Sequence, residues 1–407
     1  MDLLDPVIQP YAWGSHTAIA DLQGRPGPTA GPEAELWMGA HPSAPSGVVR
    51  PGTRTTLDAV IAADPSGELG AECAARFGGR LPFLLKVLAA EKALSIQVHP
   101  SREQARAGYR TETERGLAPG GGSRNYVDDW PKPEILCALT TFEVLAGMRT
   151  PADAAALLRV LAVGELQPLA AELAGAAGPS GAGPAALTRA LAAILAWPAD
   201  GREALIADVT AACERTAARG GEYAAGCAAT VRIAAEHPGD LGIVASLLLR
   251  YLALRPGEAV FLPAGGPHTY LRGTGVELLA NSDNVVRAGL TPKRIDIPEL
   301  LKLVDPAAAV PVIEPRPVGG GVSVYDAPAA EFRLYRAELG PGDTRLPGTG
   351  GPRIVLCTEG TGTLRAASGT LKVARGESGY LSAADGMVAA SGPATLFIAA
   401  SGSCRRE

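Results

Sequence analysis

The sequence predicts a mainly β protein with added α structure, arranged as two β domains and one inserted helical domain. Residues 1–150 and 254–313 contain short apolar runs separated by glycines and prolines, a pattern typical of strands joined by turns. Between them, residues 151–253 are dominated by good helix formers at helical spacing, and they predict the insertion. Short apolar runs return in residues 322–407, which predict the second β domain.

Some shorter stretches refine this division. Residues 57–77 have helical character within the first β region, and residues 314–321, rich in glycine and proline, are interpreted as a linker. Because residues 322–407 contain no histidine, the second β domain is expected to bind no metal and to cover apolar surface. For the loop at Gly120 to Gly122, two interpretations stay open: a lid that excludes water, or a flexible hairpin.

Composition argues against several classes of function. The net charge of −5 and the lack of a basic tract argue against a nucleic-acid partner. The sequence contains no run of about 18 apolar residues, so no membrane helix is expected, and its start lacks the pattern of a signal peptide. Six cysteines without a Cys-x-x-Cys pair are typical of free thiols. We therefore expect a cytoplasmic protein with a small-molecule partner; its oligomeric state stays open, with a monomer favoured.

One motif points to a metal site. It reads Gly-x5-Pro-x-Gly-x2-His and ends at His268. Residues 258–262 predict a strand, and Pro263, Gly265 and Gly266 predict a sharp turn, because proline fixes φ and glycine allows positive φ. Such a turn aims the imidazole from a fixed place beside the sheet. The spacing resembles the second signature of the cupin superfamily, small β-barrels that often hold one metal.

Three further residues complete a candidate ligand set with His268. Gln97 and His99 are two residues apart, so an extended strand points both side chains to one face. Glu134 stands between a proline and an apolar run, although an ion pair with Lys132 is an alternative role for it. One glutamine oxygen, two histidine nitrogens and one carboxylate oxygen suit zinc, with room for water or substrate.

Five blocks of the sequence, in order, resemble the type I mannose-6-phosphate isomerases, which belong to the cupin superfamily. Together they reach across most of the chain, from about residue 8 to about residue 304. One departure is visible: the family commonly has histidine before Lys-Pro-Glu, and Pro131 stands there, so no role of that histidine carries over. The blocks are ELWMGAHP at 35–42, LPFLLKVL at 81–88, LSIQVHP at 94–100, KPE at 132–134 and SDNVVRAGLTPK at 282–293.

The resemblance implies two cupin-like jelly-roll barrels, of which the second is degenerate, and one zinc ion per chain. It implies an aldose–ketose isomerase that interconverts D-mannose 6-phosphate and D-fructose 6-phosphate through a cis-enediol. This reaction belongs to carbohydrate metabolism and feeds mannose activation for GDP-mannose biosynthesis. Two alternatives stay open, a non-catalytic cupin that binds a sugar phosphate for regulation and a metal-dependent cupin dioxygenase. The glutamine in the ligand set and the basic anion-binding residues favour isomerisation.

Basic residues predict the anion-binding end of the site. Arg287 has no charge closer in sequence than Asp283, and a guanidinium in such a place suits a phosphate or a sugar oxyanion. Lys293 follows six residues later. The resemblance implies that Ser95, Lys86, Arg287 and Lys293 line the phosphate or catalytic end of the pocket.

Isomerisation also needs a base near the transferred proton and positive charge near the enediolate oxygens. We assign the base to Glu277, on the strand after His268, since burial raises the pKa of a carboxylate. Lys132 is assigned to ring opening or proton shuttling, and Arg287 to stabilisation of the oxyanion.

Overall fold

The computed structural model describes residues 1–50, 53–118, 124–178 and 181–402. The loop at Gly120 to Gly122, with its two open interpretations, lies outside the described residues. The strands are β1 (Asp2–Asp5), β2 (Val7–Gln9), β3 (Glu35–Met38), β4 (Gly47–Arg50), β5 (Thr53–Thr56), β6 (Phe83–Ala90), β7 (Ile96–Val98), β8 (Glu134–Ala138), β9 (Phe142–Met148), β10 (Leu249–Leu254), β11 (Ala259–Leu262), β12 (His268–Ala280), β13 (Val286–Gly289), β14 (Val312–Ile313), β15 (Arg316–Gly319), β16 (Val322–Tyr325), β17 (Arg333–Leu339), β18 (Thr344–Arg345), β19 (Arg353–Ala366), β20 (Gly369–Ala374), β21 (Ser378–Leu381), β22 (Ala389–Ser391) and β23 (Ala394–Ala400).

The described chain also contains twelve α-helices. They are α1 (Ala18–Leu22), α2 (Leu57–Ala63), α3 (Pro65–Leu69), α4 (Ala71–Phe77), α5 (Arg102–Glu114), α6 (Pro151–Leu161), α7 (Gln167–Gly175), α8 (Gly183–Leu195), α9 (Arg202–Arg219), α10 (Ala224–Glu236), α11 (Gly242–Ala245) and α12 (Ile297–Leu303). None of these helices combines the length and the apolar composition that a membrane crossing needs.

The strands form two large antiparallel sheets. The first, which we call the site sheet, has the order β14-β11-β8-β12-β6-β3-β2, with β7, β9, β10 and β13 paired alongside. The second, which we call the C-terminal sheet, has the order β15-β16-β17-β23-β19-β21-β1-β4-β5. Strand β12 organises the site sheet, because its 13 residues pair with β7 and β9 at the start and with β6 and β8 towards the end.

The two sheets share one apolar core. The site sheet contributes side chains that include Leu36, Phe83 and Val276, and the C-terminal sheet contributes Leu334 and Phe397. All five are almost inaccessible to solvent. Burial of apolar area at about 25 cal/mol per Å² makes this shared core a large part of what stabilises both sheets. These contacts are the cover over apolar surface that the sequence predicted for the second β region.

Helices α6–α10 lie where helical spacing predicted them, and α2–α4 occupy the helical stretch within the first β region. The apolar faces of the longer helices form a core that also includes Val98 of β7 and Val286 of β13. The helical segment therefore packs against the two strands that carry Gln97 and Arg287.

Two elements differ from the sequence expectation. Helix α5 stands in a region expected to hold strands and turns; it begins with a capping box, in which Ser101 Oγ accepts from the Gln104 N–H. Strand β15 occupies the expected linker and pairs with β16. The hairpin forms because Gly319, Gly320 and Gly321 all adopt positive φ, which lets the chain reverse there.

The division between segments also differs in detail. Strand β10 begins at Leu249, within the stretch expected to be helical. Strands β1 and β4 join the C-terminal sheet, where Asp2 pairs with Tyr380 of β21 and Leu4 pairs with Val48. The C-terminal sheet therefore contains strands from residues 1–150, which the sequence assigned to the first β domain.

We expect Phe397→Ala to lower the free energy of unfolding by about 3–5 kcal/mol, because it leaves a cavity in the core shared by both sheets. Urea unfolding followed by circular dichroism measures the change. The matched control is Met387→Ala, since Met387 is 61% exposed and its loss is expected to change stability by at most about 0.5 kcal/mol. Equal stability of the two variants would contradict a shared core.

Candidate functional site

Three side chains from separate strands converge on one point in the site sheet. His268 begins β12, Glu134 begins β8 and His99 follows β7 directly. They are 3%, 4% and 1% exposed, and one ligand atom of each lies within 4.8 Å of the others. In the described part of the chain, this is the group of at least three His, Cys, Asp or Glu residues whose geometry can hold a metal ion.

The turn before His268 has the form that the motif predicts. After β11, Gly265 adopts φ +79, and a Cβ atom there would lie 2.8 Å from the Cβ of Asp305. Only glycine fits both constraints. The Gly265 N–H donates to the carbonyl oxygen of His99 at 2.9 Å, so the turn also fixes the second histidine.

The hydrogen bonds of the two imidazoles define their tautomers. His99 Nδ1 lies 2.8 Å from the carbonyl oxygen of Asn284, and His268 Nδ1 lies 3.1 Å from that of Gly266. A carbonyl oxygen only accepts, so we infer that each Nδ1 carries the hydrogen and each Nε2 carries a lone pair.

These Nε2 atoms face the two oxygens of Glu134. His99 Nε2 lies 3.3 Å from Oε1, and His268 Nε2 lies 3.4 Å from Oε2. The Nε2 of His99 is buried and has no hydrogen-bond partner among the described residues. Lone pairs that converge on a carboxylate repel one another unless a cation lies between them, so the donor set fits a metal ion.

Charge in the cluster suits a neutral imidazole beside an ionised carboxylate. Burial lowers the pKa of His99 to about 4. Burial acts in the opposite direction on Glu134, yet the adjacent His99 and Lys132 lower the pKa of this carboxyl well below its usual range. Lys132 Nζ lies 3.2 Å from Glu134 Oε1. Lys132 therefore touches the metal cluster directly, and the ion pair that the sequence left as an alternative is present.

Gln97 lies on the strand next to His268. The two residues are direct partners between β7 and β12, and both line the same cavity. Gln97 Nε2 donates to Ser95 Oγ at 3.3 Å, which leaves the amide oxygen as the atom suited to a metal. Ser95 thus contacts a predicted ligand directly.

A second charged cluster lines this cavity. Lys86 Nζ lies 3.4 Å from Glu35 Oε2 and 3.5 Å from Glu277 Oε2. Lys86 and Glu277 are direct partners between β6 and β12, so their contact follows from the register. Burial raises the pKa of Glu277 to about 7, although Lys86 opposes the shift. Burial would lower the pKa of Lys86, but the charges of Glu35 and Glu277 raise it.

One predicted anion-binding residue, Arg287, lies beside a residue of the predicted ligand set. Arg287 of β13 is the direct partner of Gln97, so the two side chains share one face of the sheet. Burial alone lowers its pKa, and the described residues place no carboxylate within ion-pair distance of it. The nearest acid in sequence, Asp283, lies 3.3 Å from His41 instead. The charge of Arg287 lowers the pKa of the exposed Lys293, so the two cations are neighbours.

The sequence analysis did not single out two residues of the cavity, Glu35 and Tyr270. Glu35 accepts from Trp37 Nε1 at 2.6 Å, and its signal was a carboxylate within a strand that is otherwise apolar. The hydroxyl of Tyr270 is buried without a hydrogen-bond partner among the described residues. In the sequence, the position of Tyr270 directly after His268 and Thr269 is the feature that could have identified it as a cavity residue.

Comparisons with known proteins agree with the family predicted from the five blocks. The family model described as "Phosphomannose isomerase type I, catalytic domain" matches residues 1–151. The mannose-6-phosphate isomerase of Escherichia coli (strain K12) is 36% identical over 399 residues, which cover 96% of each chain. The mannose-6-phosphate isomerase of Bos taurus is 34% identical over 384 residues, which cover 88% of each chain.

Solved structures agree over the whole fold. A crystal structure of a histidine-to-alanine mutant of phosphomannose isomerase from Salmonella typhimurium has a TM-score of 0.89 and 35% identity, and covers 98% of this chain and 99% of that one. A crystal structure of mannose 6-phosphate isomerase bound with zinc and yttrium has a TM-score of 0.88, 35% identity and the same coverage. The predicted family is confirmed: the chain belongs to the type I phosphomannose isomerases.

Proposed function

We propose that this chain is an aldose–ketose isomerase that interconverts D-mannose 6-phosphate and D-fructose 6-phosphate through a cis-enediol. The observation that carries the proposal is one buried cavity in which Glu134 and His268, two residues of the metal-competent cluster, face Glu277, a carboxylate whose pKa is about 7. A coupled assay on mannose 6-phosphate tests it. A protein that binds the sugar phosphate without turnover would instead be a regulatory cupin.

We further propose one zinc ion per chain, held by Gln97, His99, Glu134 and His268. Three of these residues form the buried cluster, and Gln97 lies on the adjacent strand with its amide oxygen available. When bound, zinc supplies Lewis-acid polarisation of a substrate oxygen and holds the site in shape. We propose that Lys132 gives or takes a proton at the ring oxygen during ring opening; its contact with Glu134 supports a position beside the metal ligands.

Glu277 is the proposed base. As a carboxylate it takes the proton from C2 of the open-chain aldose, and the electron pair of that C–H bond forms the C1–C2 double bond while the C1 carbonyl becomes an enediolate oxygen. The hydrogen of the C2 hydroxyl passes to that C1 oxygen, and return of the first proton from Glu277 to C1 leaves a carbonyl at C2, which is the ketose. A pKa of about 7 suits this exchange, because the ideal catalytic pKa lies near the working pH. Lys86 holds Glu277 in place from 3.5 Å and limits the rise in its pKa.

Arg287 and Lys293 are proposed to bind the phosphate and the developing enediolate, with Ser95 at the same end. The support is two neighbouring cations, of which Arg287 is half-buried beside a metal ligand without a described acidic partner. Such a site favours an anion. The phosphate supplies binding energy far from the reacting carbons and so positions them.

The remaining parts of the proposal concern architecture and location. Residues 1–150 and 254–313 are proposed as the catalytic cupin-like jelly roll, residues 151–253 as the helical insertion, and residues 322–407 as a degenerate jelly roll. We also propose a cytoplasmic location, in metabolism that feeds mannose activation. Five cysteines that form no disulfide within the described residues support a reducing compartment.

We expect His268→Ala to lose stoichiometric zinc and most activity, because it removes one of two imidazole ligands. Metal analysis of the purified protein measures the loss. The control is His16→Ala, since His16 is exposed and bonds to the carbonyl oxygen of Thr29. Full zinc content in His268→Ala would remove this residue from the ligand set.

We expect Arg287→Ala to lower kcat and kcat/KM together by roughly 10²–10³-fold, the usual cost of losing one donor to a developing oxyanion. Steady-state kinetics on mannose 6-phosphate measure both constants. A rise in KM with kcat unchanged would make Arg287 a phosphate-binding residue without a role in the transition state.

We expect kcat/KM to rise with pH to a plateau through a pKa of about 7, as Glu277 loses its proton. Lys86 lowers that pKa, so Lys86→Met should move the ascending limb to higher pH. The substrate phosphate also titrates, near pH ~6, but it does so equally with the wild type and with Lys86→Met, so it does not account for a shift between the two pH profiles. An unshifted limb in Lys86→Met would argue against Glu277 as the titrating base.

A further inference from the structure

The segment between β12 and β13 contains a completely buried asparagine outside the ligand set. Asn284 is 0% exposed, although an amide is costly to bury without hydrogen bonds. It lies three residues before Arg287 and faces residues 127–130, which lead into Lys132 and Glu134. This position lets one residue connect the segment that carries Arg287 with the segment that carries Lys132 and Glu134.

The amide of Asn284 is fully satisfied by that facing segment. Its Oδ1 accepts from the N–H of Val127 at 2.8 Å and from the N–H of Asp128 at 3.2 Å. Its Nδ2 donates to the carbonyl oxygens of Asp128 and Trp130, both at 2.8 Å. The facing segment presents two N–H donors and two carbonyl acceptors, and the asparagine side chain has both an accepting oxygen and a donating nitrogen within one short amide group.

The backbone of the same residue holds a metal ligand. The carbonyl oxygen of Asn284 accepts from His99 Nδ1 at 2.8 Å. This bond keeps the hydrogen on Nδ1 and so presents the lone pair of Nε2 to Glu134. The orientation of His99 therefore depends on where the Asn284 peptide lies, and the side-chain bonds of Asn284 set that place.

We propose that Asn284 is a positioning residue of the metal centre. It ties the segment that leads to Lys132 and Glu134 to the carbonyl group that orients His99. Through these contacts it fixes the distance between two ligands that come from different strands. Loss of its amide leaves four backbone groups, three partly buried and one buried, without this partner, and residues 127–130 can then move away from His99.

Neighbouring contacts strengthen the same junction. Ser282 Oγ donates to Asp128 Oδ1 at 2.8 Å and accepts from the Asn284 N–H at 3.2 Å. The N–H of Asp283 donates to Asp128 Oδ2 at 2.9 Å. The side chain of Asn284 alone makes five hydrogen bonds to the facing segment, so its replacement should have a larger effect than that of Ser282.

The inference rests on the zinc site of the proposed function and is tested by zinc affinity rather than by turnover. The zinc dissociation constant of the purified full chain is measured by competition with a chelating indicator. Removal of such a partner of a metal ligand typically weakens metal binding by about 10–100-fold, and we expect this for Asn284→Ala. The matched control is Thr230→Val, because Thr230 is also buried, at 3% exposed, but its hydroxyl bonds to Gly226 of helix α10 and to Ser246.

The outcomes separate the two claims. Weaker zinc binding by Asn284→Ala, with Thr230→Val like the wild type, supports the positioning role. Wild-type zinc affinity in a folded Asn284→Ala protein overturns the positioning role and leaves the proposed function intact. A wild-type chain that binds no zinc overturns both the positioning role and the proposed zinc site. Should Asn284→Ala not fold, Ser282→Ala is measured instead: a smaller loss of affinity is expected, and an unchanged dissociation constant overturns the inference.

Discussion

The site depends on one electrostatic constraint, the approach of two imidazole lone pairs to a single buried carboxylate. His99 and His268 give their Nδ1 hydrogens to backbone carbonyl oxygens, so their Nε2 atoms point at Glu134 without a proton to share. In a dry interior this arrangement is unfavourable until a cation balances it. The fold must therefore be stable enough to hold the three groups together beforehand, and the core shared by the two sheets serves that need.

The same cavity separates two kinds of acid–base behaviour over a short distance. Glu134 stays ionised because the charge of Lys132 beside it opposes the effect of burial, whereas burial moves Glu277 towards neutrality near physiological pH. The difference does not come from residue type, since both are glutamates on neighbouring strands. It comes from the cation beside each glutamate. Lys132 pairs with Glu134, whereas Glu277 shares the charge of Lys86 with Glu35.

Local patterns predicted much of this arrangement. Strand periodicity and the glycine turn identified Gln97 and His268, because both signals act over a few residues. Contacts that depend on register were beyond such reasoning, as with Glu35, which reaches Lys86 only when β3 lies beside β6. Strand β15 was missed for a related reason: glycine-rich sequence describes a tight hairpin as well as a linker, and only pairing with β16 distinguishes them.

Strand β1 has a consequence for the order in which the protein can assemble. It pairs with β21, so that Asp2 faces Tyr380, and with β4 on its other side. During synthesis β1 and β4 leave the ribosome long before β21 exists, and an unpaired strand edge invites wrong associations. The pairing of β1 with β21 can form only late in translation. Because it joins residues that are very far apart in sequence, it is expected to be a slow event in folding.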